Sequence, residues 1–123
     1  MKKKNLIFDT NFLVYYAKQK KFDEIDYLIR RYNCFILDAC IKEIKKLIRG
    51  RHAAKVEMML NKINDLIAEG RIKLIKVETT ADKGIVMLAE EKMINVLASF
   101  DKRLIKKIKA IDPSIEVIKS KFD

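Results

Sequence analysis

At 123 residues the chain has room for one domain with a real core and too little for two, and with three glycines and one proline it has no flexible linker; residues 1–123 are expected to form a single domain. Hydrophobic residues at 50% exclude a disordered chain, and Lys and Arg (27) outnumber Asp and Glu (17) for a formal charge of +10. That field draws polyanions, nucleic acid or an anionic membrane, although a heat-adapted surface rich in lysine ion pairs would also raise the count. No apolar run approaches the ~20 residues of a membrane span, and the basic start Met1-Lys2-Lys3-Lys4 leads into a short strand, not a signal-peptide core. A cytoplasmic protein is expected.

Leu6-Ile7-Phe8 stops at Asp9-Thr10-Asn11, which reads as a buried strand entering a polar turn, with Thr10 or Asn11 capping the next helix. Phe12, Leu13, Tyr15 and Tyr16 give that helix its apolar side, and Phe22, Ile25, Leu28, Ile29 and Tyr32 recur at helical spacing in a second. Residues 34–37 read as strand two, ended by Asp38. The next helix turns Ile41, Ile44 and Leu47 inward and Lys42, Lys45, Lys46 and Arg49 outward, until Gly50 interrupts it. Residues 51–69 keep Val56, Met59, Leu60, Ile63 and Ile67 on one helical face, closed by Gly70 as a C-cap. Residues 72–77 form strand three, and Thr79 or Thr80 caps a helix bearing Ile85, Val86, Ala89 and Met93. Residues 94–98 form strand four, broken at Ser99-Phe100-Asp101. A basic helix with Leu104, Ile105 and Ile108 follows, and Asp112-Pro113 turns the chain into strand five at residues 115–118. Cys34 and Cys40 fit no zinc spacing and read as two buried thiols.

Short apolar strands alternating with helices predict an α/β fold, a parallel sheet covered on both faces, with ligands beyond the carboxyl ends of the strands. Asp9 directly follows strand one and Asp101 lies just beyond strand four, at that edge. Glu43 borders the apolar face of its helix, and Asp82 falls in the first turn of its helix, in register with Ile85 and Ala89 and so toward the sheet. Taken singly, Asp9 and Asp101 also suit helix caps, Asp82 a helix N-terminus and Glu43 an ordinary surface acid. Jointly placed, they point to a cation, because carboxylates held close together take up protons unless a positive charge sits between them. An all-oxygen set of this kind suits Mg2+ or Mn2+, which activates water for phosphodiester hydrolysis.

These residues resemble the motifs of PIN-domain nucleases. Asp9-Thr10-Asn11-Phe12 is similar to the opening motif. The run from Leu37-Asp38-Ala39-Cys40 through Glu43 to Leu47 is similar to the segment bearing the second acid, which falls on Glu43. Ala81-Asp82 resembles the third motif, and Ala98-Ser99-Phe100-Asp101 the fourth. The nearest branch resembles the archaeal relatives of the eukaryotic PIN endonuclease that matures small-subunit ribosomal RNA, with the VapC toxins as cousins. The resemblance implies a three-layer α/β/α sandwich and Mg2+- or Mn2+-dependent RNA cleavage, often by a homodimer. An antitoxin or a ribosome-assembly complex would be the protein partner. Asp9, Glu43, Asp82 and Asp101 would form the catalytic metal site, with Asn11 and Ser99 orienting ligands or the scissile phosphate. One position departs: relatives often carry a second acid after the third motif, where this chain has Lys83.

Two basic stretches flank the acids. The first comprises Lys42, Lys45, Lys46, Arg49, Arg51, His52 and Lys55, and the second Lys102, Arg103, Lys106, Lys107 and Lys109. Contacts of this type bind RNA phosphates with little sequence choice and strong salt dependence. Tyr15 and Tyr16 are candidates for base stacking as well as for core or interface positions. The leading expectation is a metal-dependent endoribonuclease. A non-catalytic RNA-binding PIN module is the rival, kept open by Lys83. A phosphorylated receiver-type switch is disfavoured, because Val77-Glu78-Thr79 stands where its acceptor Asp belongs.

Overall fold

The computed structural model describes residues 2–118. The elements run β1 (Asn5–Phe8), α1 (Thr10–Lys18), α2 (Asp23–Arg31), β2 (Asn33–Leu37), α3 (Asp38–Lys46), a 3-10 turn (Gly50–His52), α4 (Ala53–Ala68), β3 (Ile72–Ile75), α5 (Ala81–Glu90), β4 (Val96–Ala98), α6 (Lys102–Ile111) and β5 (Glu116–Ile118). All pairings are parallel, in the strand order β3-β2-β1-β4-β5. The chain therefore steps outward from β1 to β3, crosses back beyond β1 to β4, and steps outward again to β5. Right-handed crossovers put α1 to α4 on one face of the sheet and α5 and α6 on the other. The packing agrees, since α1, α3 and α4 contact one another and α5 contacts α6. This is the three-layer α/β/α sandwich.

Covering both faces explains why Leu6-Ile7-Phe8 is continuously apolar: all three side chains of β1 are fully enclosed. Each such burial contributes roughly 1.5–3 kcal/mol. The outer strand β3 carries Lys73 and Lys76 along or beside its edge, which discourages pairing with another chain. Both cysteines are free and buried, and burial pushes each thiol up to about 12, so neither is a reactive nucleophile.

Several expected boundaries move, each for a local reason. Strand three ends at Ile75 and not at Val77, because the Val77 N–H leaves the ladder and donates to Asp38 Oδ1 at 3.0 Å. Leu47, expected inward, lies past the end of α3 and is exposed at 39%, since the chain turns away toward Gly50 with φ +72. The long helix begins at Ala53, not Arg51, with a 3-10 turn ahead of it, and Leu66 is more deeply buried than Ile67. Met93 falls outside α5, because Lys92 adopts φ +58 and closes the helix; Met93 is exposed. Gly70 does close α4, at φ +75, with Gly70 N–H donating to Ile67 O and Arg71 N–H to Leu66 O.

Candidate active site

The strand order reverses direction between β1 and β4: one leads toward β2, the other toward β5. A crevice opens at the carboxyl ends of such a pair. Asp9 leaves β1 there, still tied to the sheet by its N–H, which donates to Ala98 O at 3.0 Å. Its side chain is 4% exposed. Oδ1 accepts the Thr10 N–H at 2.9 Å, making Asp9 itself the N-cap of α1 where Thr10 or Asn11 was expected. Oδ2 accepts the Ser99 hydroxyl at 2.7 Å. Ser99 Oγ in turn accepts the Asp101 N–H at 3.0 Å, so one fully buried hydroxyl joins the two strand ends. Asp101 caps α6, its Oδ1 accepting the N–H groups of Arg103 at 3.0 Å and Leu104 at 3.2 Å.

Asp82 arrives from the other direction, in the first turn of α5, whose N-cap Thr80 accepts the Lys83 N–H at 3.4 Å. Carboxylate oxygens of Asp9, Asp82 and Asp101 all lie within 4.8 Å of one another. Burial pushes Asp9 up from 3.8 to about 6, and the neighbouring charges of Asp82 and Asp101 push the same way. The Ser99 and Thr10 hydrogen bonds oppose the rise. Each of the three acids stands at a helix N-terminus, where the positive end of the dipole offsets part of their repulsion.

The trio lines a cleft of about 790 Å3. Asn11, Val14, Tyr15 and Lys18 line it as a single stripe of α1, while Glu43, Leu47, Arg49, Arg51, His52 and Thr80 complete the walls. His52 Nδ1 is enclosed without a hydrogen-bond partner among the described residues. Burial, then the nearby Lys55, Arg51 and Lys18 charges, lower its pKa.

The structure thus brings Asp9, Asp82 and Asp101 together and puts Glu43 on the same cleft but outside the tight cluster. Asp82 is exposed to the cleft, a correction to the expectation that its register would bury it against the sheet. Ser99 donates its hydroxyl to Asp9 within the site. Asn11 Oδ1 instead accepts the Phe100 N–H at 3.2 Å, fixing the loop that carries Ser99 and Asp101. Of the basic residues, Arg49 and Arg51 line the cleft. Lys42, Lys45, Lys46, Lys102, Arg103 and Lys106 are exposed but stand outside its lining. Lys18 was missed and the place of His52 unseen; for Lys18 the signal was its spacing of seven from Asn11 along one helical stripe. Lys83 is exposed and outside the cleft's lining; it lines an adjoining groove with Thr79, Val86, Met87, Glu90 and Lys107, which shares Asp82 with the cleft. Among the described residues no helix is long and apolar enough to cross a membrane.

Fold and crevice define an open-sheet α/β protein with an acidic cluster at its switch point. The chain belongs to the PIN-like domain family, whose model matches residues 6–121. Its fold is similar to that of the PIN domain endonuclease Utp24, with a TM-score of 0.63 and 24% identity over 92% of this chain and 82% of that one. It is also similar to a domain of a functionally unknown protein from Methanocaldococcus jannaschii DSM 2661, at a TM-score of 0.58 and 17% identity over 93% of this chain and 89% of that one. Compared with curated proteins by sequence, the chain matches none.

Proposed function

We propose that this chain is an endoribonuclease that hydrolyses RNA phosphodiester bonds with Mg2+ or Mn2+ held by Asp9, Asp82 and Asp101, Glu43 serving as the fourth acid of the cleft. The carrying observation is a buried Asp9 carboxylate kept within 4.8 Å of two others, an arrangement that repels itself until a cation enters. The donor set fits. Carboxylate oxygens of Asp9, Asp82 and Asp101, all hard donors within 4.8 Å of one another, would hold a divalent ion that prefers oxygen ligands. A bound divalent ion supplies a more acidic water and stabilises the leaving oxygen. Ser99 holds Asp9 in the orientation that presents its remaining lone pairs to the cleft, and Asp101 is fixed by its capping bonds to α6. Lys18, Arg49 and Arg51 on the same walls suit phosphates flanking the scissile one. Membership of the PIN-like family, and a fold shared with an endonuclease, support this reading.

The test is Mn2+ titration of the purified protein with two readouts, thermal stability and cleavage of a single-stranded oligoribonucleotide. Wild type should gain stability with Mn2+ and cut; Asp9→Asn should lose both while remaining folded. Cleavage by Asp9→Asn at the wild-type rate would overturn the assignment. RNA binding with neither Mn2+ response would instead identify a non-catalytic RNA-binding module.

A further inference from the structure

Tyr15 is exposed at 46%, whereas its neighbours Phe12, Leu13, Val14 and Tyr16 are buried. It is not a loose surface ring. Phe100 meets it at 4.9 Å and 62°, and Tyr16 at 5.6 Å and 79°. Phe100 is itself fixed, stacked on Phe12 at 5.2 Å and 19°, with its N–H held by Asn11. Ser99, Phe100 and Asp101 are consecutive, so the segment that builds the acidic cluster also braces this aromatic wall. Leu47, partly exposed, and Val14 line the same cleft. The cleft therefore combines four carboxylates, apolar surface from Tyr15, Val14 and Leu47, and the cations Lys18, Arg49 and Arg51.

We infer that Tyr15 is a base-stacking residue: an unpaired nucleobase next to the phosphate at the acidic cluster rests on the apolar surface of Tyr15 and Leu47. Charge complementarity selects this occupant. An apolar peptide would gain nothing from the adjoining cations, while a nucleotide offers a flat apolar face and an anionic phosphate a few ångströms apart. A ring already braced by neighbours loses little rotamer freedom on stacking. The inference rests on RNA as the ligand, and is independent of whether the site cleaves it.

The test is fluorescence anisotropy in EDTA with a labelled single-stranded oligoribonucleotide and an otherwise identical one made of abasic nucleotides. Cleavage is silent there, and repulsion from the unneutralised acids is common to every arm. Tyr15→Ala should weaken binding of the intact oligomer about 5- to 150-fold, and Tyr15→Phe less than about 2-fold. Neither variant should alter binding of the abasic oligomer, which wild type should hold as weakly as Tyr15→Ala holds the intact one. Equal affinity of Tyr15→Ala and wild type for the intact oligomer would overturn the stacking role alone. So would an equal loss on both oligomers, which marks a folding or phosphate effect. Failure of wild type to bind either oligomer would overturn this inference and the RNA reading together.

Discussion

In the metal-free protein Asp9 should make stability fall as pH rises, the reverse of a paired carboxylate. Its carboxyl is pushed up from 3.8 to about 6, chiefly by burial, so the folded chain keeps a proton that the unfolded chain has already released. The stabilising contribution is complete below 3.8 and is lost as pH climbs through about 6. A rise of that size corresponds to about 3 kcal/mol at neutral pH, or roughly 10 °C in Tm for a chain of this length. Asp9→Asn retains an oxygen for the Thr10 N–H and an amide that donates to Ser99, yet carries no charge to desolvate. Urea denaturation of both proteins in EDTA, from about pH 4 to about pH 7.5, reads the effect as a difference in which titrations away from the acidic cluster cancel. The variant should draw ahead of wild type by about 2.5 kcal/mol across that range, and added Mn2+ should restore wild type alone. A difference between the two that stays flat with pH would refute the reasoning, because it would mean that Asp9 pays no burial penalty in the folded state.

Ser99→Ala removes the hydroxyl that Asp9 accepts from and that the Asp101 N–H donates to, so Mn2+ affinity measured by calorimetry should fall about 10- to 100-fold while the fold persists; unchanged affinity would assign Ser99 to packing alone. Gly84→Ala would set a Cβ 2.7 Å from Leu37 Cδ1 and 3.3 Å from Val77 Cγ2, and fully buried Leu37 has nowhere to swing. Overpacking of about 1–3 kcal/mol against about 1 kcal/mol of helix propensity leaves a net loss of about 1 kcal/mol in urea denaturation; a stabilised variant would contradict it. Because α5 carries Asp82, the same variant should bind Mn2+ more weakly.

The parallel sheet and the strand-end placement of two acids were legible because the strands are continuous apolar runs and the acids stop them: Asp9 ends β1 and Asp101 follows β4, and the pairing of β1 with β4, which the sequence did not announce, brings them together. The α1 stripe of Asn11, Val14, Tyr15 and Lys18 follows helical spacing too, but the sequence grouped Tyr15 with Phe12, Leu13 and Tyr16 on the apolar side, whereas the fold leaves it exposed on the cleft. Other features depended on single-residue differences that periodicity does not resolve. Whether α3 ends at Lys46 or one residue later decides if Leu47 joins the core or the cleft. The Asp38 carboxylate that takes the Val77 N–H acts across 39 positions of sequence, and nothing local announces it. Glu43 had the right helix and the right face, yet its distance from the trio is set by how α3 packs on α1 and α4.

Sequence left two readings of Asp9 and Asp101 in competition, helix cap or metal ligand; the geometry shows both caps, and the metal site proposed above would use the same two carboxylates. Capping binds N–H groups to carboxylate oxygens that still have lone pairs to give, since an ionised carboxylate accepts about four hydrogen bonds. Asp101 spends only Oδ1 on α6, and Asp9 uses one bond on each oxygen. Cap geometry thus fixes where the unused lone pairs point, and helix dipoles temper the repulsion that this convergence creates. An alanine at either position would therefore remove a cap and a charge at once, confounding folding with chemistry. Asparagine keeps one acceptor oxygen for the cap, removes the charge and, at position 9, reverses the Ser99 bond, so it separates what these acids do for the fold from what they do for a cation better than alanine does.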